Sequence, residues 1–250
     1  MELSTFFENH CEVALAFSGG VDSAYLLYKA MKCGAKVRAY FVKSAFQPQF
    51  ELDDAKRMAK ELNADLKIIE ADVLSAPAVV ANPKDRCYHC KSIIFSIITR
   101  HARSDGYTTI IDGTNASDDA DDRPGMRALK ELSVLSPLRE CELSKDEIRR
   151  LSKEAGLFTW NKPAYACLAT RIPTGDAITK EKLERIERAE DYLFSLGFSN
   201  FRVRMLGDSA KIQMPTAQVE LLIKNRHSVV RELKEYFEAV LLDLEARDES

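Results

Sequence analysis

The feature that most restricts how this chain can fold is a short string, Ser18-Gly19-Gly20-Val21-Asp22-Ser23, set between an apolar run and a helical pattern. Glu12–Phe17 (EVALAF) reads as a buried strand. From Asp22 to Cys33 apolar residues recur at helical spacing, ending at Gly34. A strand that passes through a two-glycine turn straight into a helix opens a βα unit. The glycines allow backbone angles that other residues resist, and they let N–H groups approach an anion. The helix N-terminus adds partial positive charge at the same point. Ser18 and Ser23 can donate hydroxyl hydrogen bonds. Asp22 would repel a phosphate unless a divalent cation lay between them. The competing reading is a glycine turn capped by Ser and Asp, with no ligand.

The pattern repeats. Val37–Val42, Asp65–Glu70 and Thr108–Ile111 read as strands, with helical periodicity over Glu51–Leu62 and Ser92–Ala102 between them. A helix near Gly125–Glu131 precedes a short strand at Ser133–Leu135. Ser144 opens another helix, with Glu147 at the capping-box spacing. Strands alternating with helices of this length predict an α/β fold with a doubly wound parallel sheet. Residues 157–178 lose all periodicity. After them come a strong helix over Thr179–Leu196, two β runs at Phe201–Met205 and Ala210–Gln213, a helix from Pro215 and a helix over Ser228–Tyr236. Ala239–Leu244 reads as a last strand. The expected division is a nucleotide-binding domain over 1–160, an active-site connection over 161–178 and a small α+β domain over 179–250.

With 250 residues the chain can bury a sizeable core unaided. It has no run of about 18 apolar residues, so no transmembrane helix is expected. Acidic residues before the first apolar run argue against a secretory signal. A net charge of −3 disfavours wholesale binding to a nucleic-acid backbone. Six cysteines are too few for a disulfide scaffold and point to a reducing cytoplasm.

Two groups of cysteines invite chemistry. Cys87-Tyr88-His89-Cys90 places two thiolates within reach of one metal, as half a zinc site, a redox dithiol or part of an iron–sulfur site. The same pair also reads as loop cysteines packed against the sheet. Cys167 sits in the aperiodic stretch, flanked by Lys162 and Arg171, cations that favour a thiolate. A buried structural cysteine is the alternative. Arg202 and Arg204 alternate on a strand, so both point to one face and suit a phosphate, unless that face is merely solvated. Arg171 can serve the same anion. Tyr88 can stack on a cationic ring. The acidic run Asp118–Asp122 reads either as a divalent-ion site or, more simply, as a solvated loop capping the next helix. Cys11, Cys33 and Cys141 read as filler, and His89 and His101 carry no partner signal.

The string SGGVDS resembles the signature of the PP-loop ATP pyrophosphatases, and IIDGTNASDD resembles that family's strand-four motif. No Walker lysine and no GxGxxG are present. Downstream, SPLRECELSKDEIRRLSKEAGL followed by WNKPAYACLATRIPTG looks like the LarE branch, and the match runs from SGGVDS to FRVR. The resemblance implies ATP binding by Ser18, Gly19, Gly20, Val21, Asp22, Ser23, Phe41, Asp112, Gly113, Thr114 and Asn115, with Mg2+ at Asp22. It implies adenylation of a carboxylate on a pyridinium dicarboxylate mononucleotide, with AMP and pyrophosphate released, in building a nickel-pincer nucleotide cofactor. Cys167 takes the place of the sulfur donor, and Arg171, Arg202 and Arg204 that of the ligands to the substrate phosphate. Tyr88 would stack on the pyridinium. Some members carry the CxxC too, which implies a [4Fe-4S] cluster on Cys87, Cys90 and Cys167 in place of sacrifice of Cys167. Members form homo-oligomers and act on small molecules, with no nucleic acid or membrane as partner. Thiolation of tRNA and ammonia-dependent synthesis remain the enzymatic alternatives.

Overall fold

The computed structural model describes residues 1–118 and 124–247, which pack as two compact units, residues 1–73 with 85–162 and residues 74–84 with 163–250. Most of the acidic run, Asp119 to Asp122, lies outside the described residues.

The first unit opens with α1 (Leu3–Asn9), β1 (Glu12–Ala16), α2 (Val21–Lys32), β2 (Lys36–Lys43), α3 (Gln49–Leu62) and β3 (Asp65–Glu70). The chain then contributes residues 74–84, with the short α4 (Pro77–Val80), to the second unit. It returns as α5 (Arg86–Ser104), β4 (Thr109–Ile111), α6 (Pro124–Glu131), α7 (Pro137–Glu140) and α8 (Lys145–Glu154). The four strands form one parallel sheet in the order β3-β2-β1-β4. The run at Ser133–Leu135 makes only a single parallel bridge, Leu135 to Ile111. Successive residues of the central strands go to opposite faces. Val13, Leu15, Ala39 and Phe41 pack with α1, α2 and α3, whereas Ala14, Tyr40 and Val42 pack with α5 and α6. Both faces are therefore covered, which is why these strands read as continuous apolar runs. Phe6 and Phe7 of α1, a helix that the sequence pattern did not mark, close one end of the first core.

This strand order sets the site. Strand succession runs outward from β1 through β2 to β3, then jumps back past β1 to β4. The order reverses beside β1, and such a switch point leaves a crevice at the carboxyl ends of the strands.

The second unit continues with α9 (Lys180–Ser195), β5 (Arg202–Leu206), β6 (Ser209–Gln213), α10 (Val219–Lys224), α11 (Arg226–Leu233) and β7 (Val240–Leu242). Thr179 caps α9 by accepting from the Lys182 amide at 3.2 Å. The sheet order is β5-β6-β7, with β5 and β6 antiparallel and β7 parallel to β6. Val203, Met205, Ala210 and Ile212 are buried on one face, and Leu183, Ile186, Ala189 and Leu193 form the buried stripe of α9. Residues 172–178 are tied down by the segment 74–84. The buried amide of Asn82 donates to the Ile172 and Pro173 carbonyls at 3.3 and 2.7 Å, and Gly175 and Ile178 donate to the Asn82 and Val80 carbonyls.

Candidate active site

The phosphate loop lies at the reversal. Gly19 has φ +73°, and a Cβ there would stand 3.1 Å from the Glu51 carbonyl and 3.2 Å from the Ala55 nitrogen. Only glycine satisfies both the angle and the contact with α3. Gly20 caps α2 with extended angles, so the helix begins at Val21 and its first amides face the crevice. Ser18 and Ser23 hydroxyls lie 3.0 Å apart, and Ser23 Oγ also accepts from the Ser18 amide at 3.3 Å. Asp22, in the first turn, accepts from Asn115 Nδ2 at 3.3 Å and from Lys145 Nζ at 2.5 Å.

The loop after β4 closes on this turn. A Cβ on Gly113 would approach the Ser23 amide nitrogen to 3.0 Å, so the two loops touch through backbone. Asp112 is buried and accepts from Thr114 N and Oγ1 and from Ser136 Oγ at 2.7 Å. Its carboxylate is thus fully occupied in shaping the loop. Ser117 Oγ accepts from the Lys145 amide at 2.9 Å. The structure therefore brings Ser18–Ser23, Asp112–Asn115, Ser136 and Lys145 together. Phe41 differs, since its ring is 1% exposed and sits in the core, leaving only backbone to offer a nucleotide. Ser136, Ser117 and Lys145 were not among the residues singled out from sequence. Ser136 and Lys145 fall within the SPLR…LSK string and Ser117 within IIDGTNASDD, and nothing local in either string marks them as members of one site.

Cys87 occupies the first turn of α5 and Cys90 the start of the second, not a loop, because the helix starts at Arg86, six residues earlier than the periodicity suggested. Cys87 is exposed and Cys90 partly exposed, and Arg86 Nη2 lies 3.7 Å from Cys87 Sγ. The Tyr88 ring carries the Arg127 guanidinium at 3.7 Å from its centroid, and its hydroxyl donates to Glu131 Oε2 at 2.7 Å. The ring face thus already stacks on a cation from α6.

Cys167 belongs to the second unit and is partly exposed, immediately before a single 3-10 turn, Leu168–Arg171. Lys162 does not act as a spare cation for it. Its ammonium pairs with Asp54 Oδ2 at 2.6 Å in the first unit. Arg171 is 1% exposed, and every nitrogen of its guanidinium already donates. Nε and Nη2 bond Glu190 at 2.9 and 3.1 Å, and Nη1 bonds the Ala166 carbonyl at 2.6 Å and Thr170 Oγ1 at 2.8 Å. Burial works against its charge, but Glu190 outweighs burial and raises its pKa. Arg202 donates to the Phe201 and Ala164 carbonyls, and Arg204 to the Thr170 carbonyl at 2.9 Å. Both arginines of β5 therefore reach the segment that carries Cys167. Burial, with Arg171 and Arg247 nearby, depresses the Arg202 guanidinium to about 10. Among the described residues no three His, Cys, Asp or Glu side chains converge as a metal site.

A phosphate loop at the switch point of a doubly wound parallel sheet, with a carboxylate and a lysine beside it, defines a nucleotide-binding α/β protein of the PP-loop class. Residues 9–194 match the thiamine biosynthesis protein (ThiI) family. A pyridinium-3,5-bisthiocarboxylic acid mononucleotide synthase of Lactiplantibacillus plantarum is 34% identical over 235 residues, covering 93% of this chain and 85% of that protein. An uncharacterized protein of Synechocystis is 38% identical over 226 residues, 89% of this chain and 84% of that one. The tRNA-specific 2-thiouridylase MnmA of Thermotoga maritima is 24% identical over 193 residues, 60% of this chain and 54% of its own. The chain belongs to the LarE-type branch of the PP-loop ThiI-like proteins and is an ATP-dependent sulfurtransferase. No helix among the described residues is long and apolar enough to cross a membrane.

Proposed function

We propose that this enzyme transfers sulfur to a carboxylate of a pyridinium dicarboxylate mononucleotide. The observation that carries the reading is the extent of similarity. The mononucleotide synthase matches along 93% of the chain, whereas the tRNA thiouridylase matches 60%. The net charge of −3 likewise favours a small nucleotide over tRNA.

In this reading the phosphate loop and Ser18, Ser23 and Lys145 hold the triphosphate. A substrate carboxylate oxygen attacks the α-phosphorus, the bond to the bridging oxygen breaks and pyrophosphate leaves. Magnesium fits beside Asp22, whose oxygens each hold a single donor and which is a fifth exposed. When bound, it would screen Asp22 from the phosphates and neutralise the leaving group. The Cys167 thiolate then adds to the acyl carbon and displaces AMP, giving a thioester. Loss of the Cα proton to a base and cleavage of the Cβ–S bond release the thiocarboxylate and leave dehydroalanine. The surplus of Arg171, Arg202, Arg204 and Arg247 over Glu190 suits the phosphate of the substrate. Arg171 has no nitrogen to spare for it.

The cluster alternative places iron on Cys87, Cys90 and Cys167. Soft thiolates suit iron. The chain is further read as a cytoplasmic homo-oligomer. Exposed Leu206, Leu221, Ile223 and Leu241 of the second unit offer apolar surface for self-association. The decisive experiment adds ATP, Mg2+ and the pyridinium nucleotide to purified protein. Release of AMP and pyrophosphate that depends on the nucleotide, with a thiocarboxylate product, supports the reading. Equal release without the nucleotide refutes it.

A further inference from the structure

The segment bearing Cys167 has almost no regular structure of its own, yet its backbone is held at nearly every residue. The Ala164 carbonyl accepts from Arg202. Tyr165 donates its hydroxyl to Glu190. The Ala166 carbonyl accepts from Arg171 at 2.6 Å. The Cys167 carbonyl accepts from Arg171 at 3.3 Å, from Thr170 Oγ1 at 2.9 Å and from the Thr170 amide at 3.0 Å. The Thr170 carbonyl accepts from Arg204. The Tyr165 ring carries the Arg171 guanidinium at 4.4 Å and the Arg202 guanidinium at 4.8 Å from its centroid.

Those of Arg171 and Tyr165 converge on one side chain. Glu190 lies in the buried stripe of α9, four residues after Ile186 and seven after Leu183, where an apolar residue is expected. It is 1% exposed. A carboxylate buried there costs several kcal/mol unless its oxygens are satisfied. They accept from Arg171 twice, from Tyr165, and from the Val203 amide at 2.8 Å. A carboxylate that served the core alone would bond its own helix and sheet. Three of these four bonds instead go to Tyr165 and Arg171, which lie on either side of Cys167 in the chain, and Arg171 in turn donates to the Ala166 and Cys167 carbonyls. A negative charge on the Cys167 sulfur would raise the Arg171 pKa further, so a thiolate there and the Glu190 carboxylate would share one cation.

We propose that Glu190 is the positioning residue of the Cys167 segment: by orienting Arg171 and Tyr165 it fixes the Cys167 backbone and so the direction in which the sulfur is presented. The proposal rests on the reading of Cys167 as the sulfur-bearing residue.

The test uses the full-length protein with Glu190→Gln, Glu190→Asp, Tyr165→Phe and Cys167→Ala. Three quantities are measured with ATP and pyridinium dicarboxylate mononucleotide: thermal unfolding, thiocarboxylate formed per AMP released, and the pH midpoint of Cys167 alkylation by iodoacetamide. Arg171 interacts with the Cys167 sulfur, and the charged or titratable groups that act on Arg171 or are acted on by it are Glu190, Tyr165, Arg202 and Arg247. Glu190→Gln leaves the charge of Arg171 unopposed, so the alkylation midpoint should move to lower pH. Thiocarboxylate per AMP should nevertheless fall about tenfold or more, because a better thiolate is aimed worse. Glu190→Asp should restore the midpoint but only part of the ratio, since it returns the charge without the reach. A purely structural role would lower the unfolding temperature and leave ratio and midpoint where they are. If Glu190→Gln does not fold, Tyr165→Phe, which removes one donor and no charge, should still lower the ratio about threefold. A wild-type ratio and midpoint in folded Glu190→Gln, or a wild-type ratio in Tyr165→Phe when Glu190→Gln does not fold, overturns the proposal while Cys167→Ala stays inactive. Thiocarboxylate formation by Cys167→Ala overturns the Cys167 reading itself, and the proposal with it.

Discussion

Asp22 is a carboxylate placed where anions are to bind, and its neighbours show how that is tolerated. Lys145 and Asn115 donate to its two oxygens. Replacing Asp22 with Ala removes a partly exposed group, so the fold should hold while ATP cleavage falls by about 100-fold or more. Pyrophosphate release measured on the folded variant checks this, and undiminished release would remove Asp22 from the mechanism. Gly19 gives a sharper contrast. Gly19 and Gly34 both have positive φ, but a Cβ at Gly34 meets nothing within 4 Å, whereas at Gly19 it meets the α3 backbone. Gly34→Ala should cost only the left-handed strain, about 1 kcal/mol. Gly19→Ala should cost distinctly more, because backbone must also shift. Urea unfolding of the two variants compares them directly, and equal losses would show that α3 yields freely.

At the scale of elements, Asp105 ties the end of α5 to the sheet. It accepts from Lys67 of β3 at 2.8 Å and from Tyr40 of β2 at 2.8 Å, and lies 3.1 Å from Arg38 of β2. Lys67, Tyr40 and Arg38 together hold its carboxyl down to about 2. A carboxylate with a depressed folded pKa contributes stability above its unfolded value near 3.8 and loses it as pH falls toward about 2. Asp105→Asn should therefore be less stable than the parent at neutral pH, and the difference should shrink between about pH 4 and 2. Unfolding midpoints across that range check the sign, and a constant difference would assign the loss to packing alone. The sheet strands were legible because Val13–Leu15 and Ala39–Val42 face two cores and must be apolar throughout. The start of α5 was not. Arg86–Lys91 carries no apolar stripe, and its helical form is set by α6, where Arg127 and Glu131 engage Tyr88 and Lys91 lies over Gly125. Tertiary packing there overrides local pattern.

At the scale of the molecule, the phosphate loop was readable because its residues are consecutive. Lys145 and Ser136 were not readable as members of the same site, since more than a hundred residues separate them from Ser18. Glu190 hides in a run of charges, EKLERIERAED, that reads as a solvated helix face, although it is buried. The fate of the sulfur is a property of the whole chain. With sacrifice of Cys167, product should stop at one sulfur per chain, mass spectrometry should find dehydroalanine at 167, and Cys87→Ser with Cys90→Ser should leave that turnover intact. Several products per chain in the presence of sulfide, with Cys167 unchanged, would instead require the cluster. One consequence of the chain path concerns inheritance. The second unit is assembled from two separate stretches, and Asn82 supplies bonds that residues 172–178 do not make among themselves. A single recombination event near residue 162 would therefore carry away an incomplete module. A fragment of residues 163–250 should melt broadly by itself and sharpen when a peptide of residues 74–84 is supplied.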